Sequence, residues 1–99
     1  MPTLKTLKKW SNPNIVFKKA NKYLGKRATI KISTKKDKKY MVIKPDGNTV
    51  HFGAIGYEDF TKHKNKTRRH NYLNRSGKIK GDWKSDKYSA NNLARNLLW

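Results

Sequence analysis

The segment KYMVIKPDGNTVHFG (residues 39–53) constrains the fold of this chain more than any other. Two apolar runs flank Lys44-Pro45-Asp46-Gly47-Asn48. Proline presets the dihedral a tight turn needs, and glycine accepts the left-handed position that follows. Residues 39–44 and 49–53 are therefore two strands of one hairpin. Upstream, RATIKIS (27–33) alternates strictly, with Ala28, Ile30 and Ile32 on one side, as a half-buried strand does. The charged turn TKKDK links it to the hairpin. The result is a three-stranded antiparallel meander, which needs a helix or a partner over one face to be stable. The unbroken apolar centre of 39–44 predicts cover on both faces.

Helices supply that cover. In SNPNIVFKKANKYLGK (11–26), Asn12 is placed to cap a helix, Pro13 to occupy its first position and Gly25 to end it. Val16, Ala20, Tyr23 and Leu24 fall on one face. After Gly56 the pattern turns helical again. YEDFTKHK (57–64) reads as a short helix with Glu58 and Asp59 in its first turn, where the helix dipole favours acids. Asn65 caps a second helix, KTRRHNYLNR (66–75), that Gly77 ends. GKIKGDWKSDKY (77–88) is a basic connector anchored by Trp83. Ser89 caps a last helix, ANNLARNLLW, with Leu93, Leu97 and Leu98 as its buried side. The expected class is α+β: an N-terminal helix, a three-stranded antiparallel meander, then two to three short C-terminal helices. Residues 1–11 read as a basic arm that orders on contact, and 12–99 as a single domain of modest core.

Charge narrows the function. Twenty lysines and five arginines face six acids, a net charge of +19. Such a chain is drawn to polyanions: nucleic acid, an acidic membrane surface or an acidic protein. Lysine is a point charge and arginine a planar fork, so the lysine excess favours non-specific contact over base reading. The candidate contacts are Lys62, Lys64, Arg68, Arg69, Arg75, Lys78, Lys80 and Lys84. Arg68, Tyr72 and Arg75 share one helix face at i, i+4 and i+7. That face grips phosphates and stacks on a base in one reading; it is a solvated surface with Tyr72 turned to the core in the other. Trp10, Trp83 and Trp99 are anchors for a partner surface or staples of loops to the core.

Chemistry has little to work with. Without cysteine, neither disulfides nor thiolate metal sites exist. Asp59 and His63, four apart, read as a local structural pair. A small metal nuclease built on Asp59, His63 and His70 is an outlying alternative, and six acids leave almost nothing for two-metal chemistry. Gly53-Ala54-Ile55-Gly56 resembles a phosphate-cradling loop, but Glu58 and Asp59 follow it and would repel an anion. A strand-to-helix corner is the simpler reading. No catalytic residue, metal or cofactor is expected, and no small-molecule substrate. No apolar run suits a transmembrane helix or a signal peptide, so an intracellular, unsecreted protein is expected.

One resemblance adds a setting. The marks His51-Phe52-Gly53, Gly56-Tyr57, Asp59-Phe60-Thr61, His63-Lys64, Arg68-Arg69, Tyr72 and Arg75 resemble a family of small basic proteins. The ending Tyr88-Ser89-Ala90-Asn91-Asn92-Leu93 through Leu97-Leu98-Trp99 is similar too. These proteins are encoded by large nucleocytoplasmic double-stranded DNA viruses, the giant viruses, and the similarity spans about residues 20–99. Asn65 and Ala90 depart from the pattern, which carries Asp and Pro there. The resemblance implies no catalysis. It implies a protein made in the host cytoplasm and carried in the virion. A minor capsid protein would clamp or bridge the acidic surfaces of major or other minor capsid proteins or of an inner membrane. A packaging protein would instead neutralise viral DNA without sequence preference.

Overall fold

The computed structural model describes residues 3–99. Its elements run α1 (Leu4–Leu7), α2 (Pro13–Leu24), β1 (Thr29–Ile32), β2 (Lys38–Ile43), β3 (Thr49–Ala54), α3 (Phe60–His63), α4 (Lys66–Gly77), a 3-10 turn (Trp83–Ser85) and α5 (Ala90–Leu97). The class is α+β, with an N-terminal helical segment, a three-stranded antiparallel sheet and C-terminal helices.

The sheet has the order β1-β2-β3. Its central register pairs Ile32 with Tyr40 and Tyr40 with Phe52. The Lys44–Asn48 turn closes as its residues dictate. Lys44 N–H donates to Asn48 O at 2.8 Å, and Gly47 sits at φ +88°. Pairing places Ile30, Ile32, Tyr40, Val42, Val50 and Phe52 on one face. Tyr40, Val42 and Phe52 of that face share one buried core with Val16, Ala20 and Leu24 of α2 and with Leu93, Leu97 and Leu98 at the end of the chain. Met41 and Ile43, on the reverse face, are only half-buried. Cover on the reverse face of β2 therefore forms at one end only: Lys39, on that face, is 2% exposed, while Met41 and Ile43 stay half-open.

Three of the helices start where their caps lie. Asn12, Asn65 and Ser89 each accept a main-chain N–H from three residues on. α2 stops at Gly25, whose φ is +63°. Two boundaries differ from expectation. Asp59 is the residue before α3, so neither acid lies in the first turn, and Gly77 is the last residue of α4 and does not stop it.

The N-terminal segment also departs from expectation. From Leu4 onward it is not an arm. Leu7 is fully buried in the core, Ser11 is 1% exposed, and the Trp10 carbonyl accepts the Asp59 N–H at 3.0 Å. Leucines at 4 and 7 in a lysine-rich stretch conceal this, because one buried side chain is enough to dock a single turn. Met1 and Pro2 of the expected arm lie outside the described residues.

Candidate functional site

Two polar features stand out, one buried and one open. The buried one centres on Lys39 and Asp59, whose side chains are 3% and 1% exposed and meet at 3.1 Å. Lys39 has three N–H donors and three acceptors: Asp59 Oδ2, the Tyr57 carbonyl at 2.6 Å and the Trp10 carbonyl at 3.3 Å. The other Asp59 oxygen accepts from the Thr61 hydroxyl. Thr61 has then spent its proton, so its oxygen accepts from Asn12 N–H at 2.9 Å and from Ser11 Oγ at 3.3 Å. Ser11 in turn accepts from Tyr40 Oη at 2.8 Å. The hydroxyls Tyr40, Ser11 and Thr61 therefore all point their protons toward one carboxylate. Burial pulls the Lys39 ammonium below its ordinary pKa, against the pull of Asp59, and pushes the Tyr40 phenol well up. A closed and satisfied network of this kind joins the start of α2, β2 and the β3–α3 corner.

The expected Asp59–His63 side-chain pair does not form, because Lys39 and Thr61 take the carboxylate. His63 Nδ1 instead accepts from Asn65 N–H at 2.8 Å, which puts the neutral ring's proton on Nε2, a buried atom with no partner. Its ring lies 5.2 Å from that of Trp99, and burial, then Arg68, lowers its pKa. His51 Nδ1 meets Ser33 Oγ at 2.7 Å, and His70 meets the Asn74 amide at 3.1 Å on the surface. The histidines thus go to three separate places. Among the described residues no group of three His, Asp or Glu side chains is placed to hold a metal ion.

The open feature is a cleft of about 560 Å³. Ala94, Leu98 and Trp99 give it apolar lining, and Lys39 of the buried pair reaches it too. Arg68, Asn71, Tyr72 and Arg75 of α4 line it, and so do Gly53 and Ala54 of β3, with Tyr57 and Glu58 of the corner beyond. Gly53 and Gly56 take φ of +80° and +100°, so this glycine-rich run is the strand-to-helix corner. A side chain at Gly53 would meet Leu98 Cδ1 at 2.9 Å. α4 is an outlying helix, with Ser76 its buried residue. Tyr72 stacks on Trp99 at 4.3 Å and 11°, and Arg95 donates to the Leu73 carbonyl at 2.8 Å.

The eight candidate cations do not form one patch. Arg68 and Arg75 line the cleft, where Glu58 holds Arg68 at 3.4 Å. Arg69 turns elsewhere: its Nε donates to the main-chain oxygen of Trp99 at 2.6 Å, and it lies over the Phe60 ring. Lys62 and Lys64 line a different recess with Lys8, beside Asn12 and Asn14. Lys78, Lys80 and Lys84 are exposed on the segment after α4, Lys84 lying over the Trp83 ring at 5.5 Å.

Two of the three tryptophans, Trp83 and Trp99, are engaged within the chain. Trp83 donates to the Ile79 carbonyl at 2.7 Å, Trp99 stacks on Tyr72, and Trp10 is half-buried. Tyr57 and Asn71 line the cleft without being among the expected contact residues. Asn71 was legible from its i+3 spacing after Arg68; the 73% exposure of Tyr57 was not.

Residues 28–76 match the model of a family of unknown function, DUF5754. The matched span runs from β1 almost to the end of α4. It holds Lys39, Asp59, Tyr57 and the arginines of the cleft; α2 and α5, which roof the sheet, lie outside it. No curated protein and no solved structure matches the chain.

Proposed function

We propose that this chain is a non-enzymatic structural component of a large DNA virus particle, and that it works by holding a polyanion against α4 and its flanking segments. The viral setting comes from the sequence resemblance. One observation supports the mode of action: the flank is charged and unneutralised. Among the described residues the ion pairs are Lys39–Asp59, Lys44–Asp46 and Arg68–Glu58. Lys62, Lys64, Arg75, Lys78, Lys80 and Lys84 therefore have no carboxylate partner, and such a surface gains by releasing counterions to a polyanion.

Nucleic acid suits this surface better than an acidic capsid face does. A capsid clamp would rest on free aromatic anchors, and Trp83 and Trp99 are used inside the fold. The clamp is the second reading, favoured by the exposed apolar side chains Leu4, Tyr57 and Ile79, at 46%, 73% and 53%. Neither reading needs a membrane span, and no helix among the described residues is long and apolar enough to cross one.

Fractionation of purified particles tests both. Particles are opened, digested with nuclease and washed in high salt, and the chain is followed by mass spectrometry. Loss of the chain with the nucleic acid is the expected result. Retention on the empty shell at constant ratio to the major capsid protein would establish the clamp in its place.

A further inference from the structure

The cleft carries a more specific reading, which rests on the polyanion-binding proposal and names its ligand. We infer that the cleft between α4 and the β3–α3 corner takes an unpaired stretch of nucleic acid, with Tyr57 as the base-stacking platform and Arg75 and Arg68 as the phosphate contacts.

Tyr57 is the starting point. It is the most exposed large apolar side chain among the described residues, at 73%. Its backbone is nonetheless held: the buried Lys39 ammonium donates to its carbonyl at 2.6 Å, and Gly56 before it turns the chain at φ +100°. An aromatic ring is thus presented to solvent from a main chain tied at its carbonyl to the buried ion pair. Tyr72 cannot play this part. Its ring is stacked on Trp99, and Arg75 lies over it at 6.0 Å.

The chemistry of the walls agrees. Arg68 and Arg75, in a chain dominated by lysine, both line this cleft. Their guanidinium forks match phosphate oxygens in a way lysine does not. Arg75 has no acid partner among the described residues; the Glu58 contact to Arg68 is exposed and weak. Asn71, between them on the same helix, has the donors and acceptor to meet a base edge. The apolar lining of Ala94, Leu98 and Trp99 suits a flat ring. The volume falls in the range that houses small organic groups. Paired bases are stacked inside their duplex and cannot enter, so the ligand is single-stranded.

The test measures fluorescence anisotropy of a labelled oligothymidylate and of a duplex of equal length with the full chain across a series of salt concentrations, with variants compared at the same ionic strength. Tyr57→Ala is expected to weaken single-strand binding about tenfold, the scale of one lost stack, while duplex binding stays level. Tyr57→Phe should retain wild-type affinity, and Arg75→Gln should lower the salt slope by about one. Single-strand affinity unchanged in Tyr57→Ala, or displacement by polyglutamate as effective as by oligothymidylate at equal charge, would overturn the inference. If the duplex is still bound in that case, polyanion binding stands without the cleft. If neither nucleic acid binds at low salt, both readings fall.

Discussion

Lys39 on β2 and Asp59 before α3 form an ion pair at 3.1 Å with almost no exposure to solvent. Every donor on the ammonium is matched, and the carboxylate is met from both sides. Desolvating two charges is costly, and the pair persists because its geometry is complete. It pins the N-terminal segment, the sheet and the cleft corner to one point.

Breaking that pair from one side leaves a buried charge uncompensated. Lys39→Met should cost about 3–5 kcal/mol, measured by urea denaturation. Lys39→Met combined with Asp59→Asn should recover part of the loss, since no charge is then stranded. A double variant as unstable as the sum of its parts would contradict this account.

The docked N-terminal segment gives a second expectation. Leu7 is fully buried and Leu4 is 46% exposed, although both lie in one helical turn. Leu7→Ala should cost about 2–5 kcal/mol and Leu4→Ala less than about 0.5 kcal/mol, read from thermal melts. Equal small effects would show that the segment does not belong to the core.

Gly53 faces two constraints at once. Its φ is +80°, and an added methyl would meet Leu98 and Lys39. Gly47, at φ +88°, has open space around it. Gly53→Ala should therefore destabilise more than Gly47→Ala, with backbone strain alone of order 1–3 kcal/mol at each. Chemical denaturation of the two variants checks the order.

His63 should make stability depend on pH. Burial holds its folded pKa below the ordinary 6.5. As pH falls from neutral, the unfolded chain takes up this proton first, so stability is lost below about 6.5 until the folded pKa is passed. His63→Phe keeps a ring against Trp99 and removes the titration. The melting temperature of the variant should change less between neutral and mildly acidic pH than that of the wild type; parallel curves would refute the assignment.

Neighbouring arginines should separate in function. Arg69→Ala removes the donor to Trp99 and should cost about 0.5–1.5 kcal/mol of stability. Arg75→Ala should leave the melting temperature nearly unchanged and lower affinity for nucleic acid at low salt. Heparin-column retention beside thermal melts distinguishes the two.

Local chemistry in the sequence determined the element types. The Lys44–Asn48 turn and the caps at Asn12, Asn65 and Ser89 act on main-chain groups within three or four residues, so neighbouring residues suffice to read them. The alternation of Ile30 and Ile32 likewise names the face they share. Tertiary structure decided the rest. Asp59 chose Lys39, 20 residues away, over His63 beside it. Ser11 met Tyr40 across 29 residues, and Leu7 turned an apparent arm into core. Arg69 went to Trp99 while Arg68 and Arg75 kept to the cleft. The reason is physical: a periodic pattern specifies which side of an element is apolar, whereas the partner of a buried charge depends on which distant elements are packed against it.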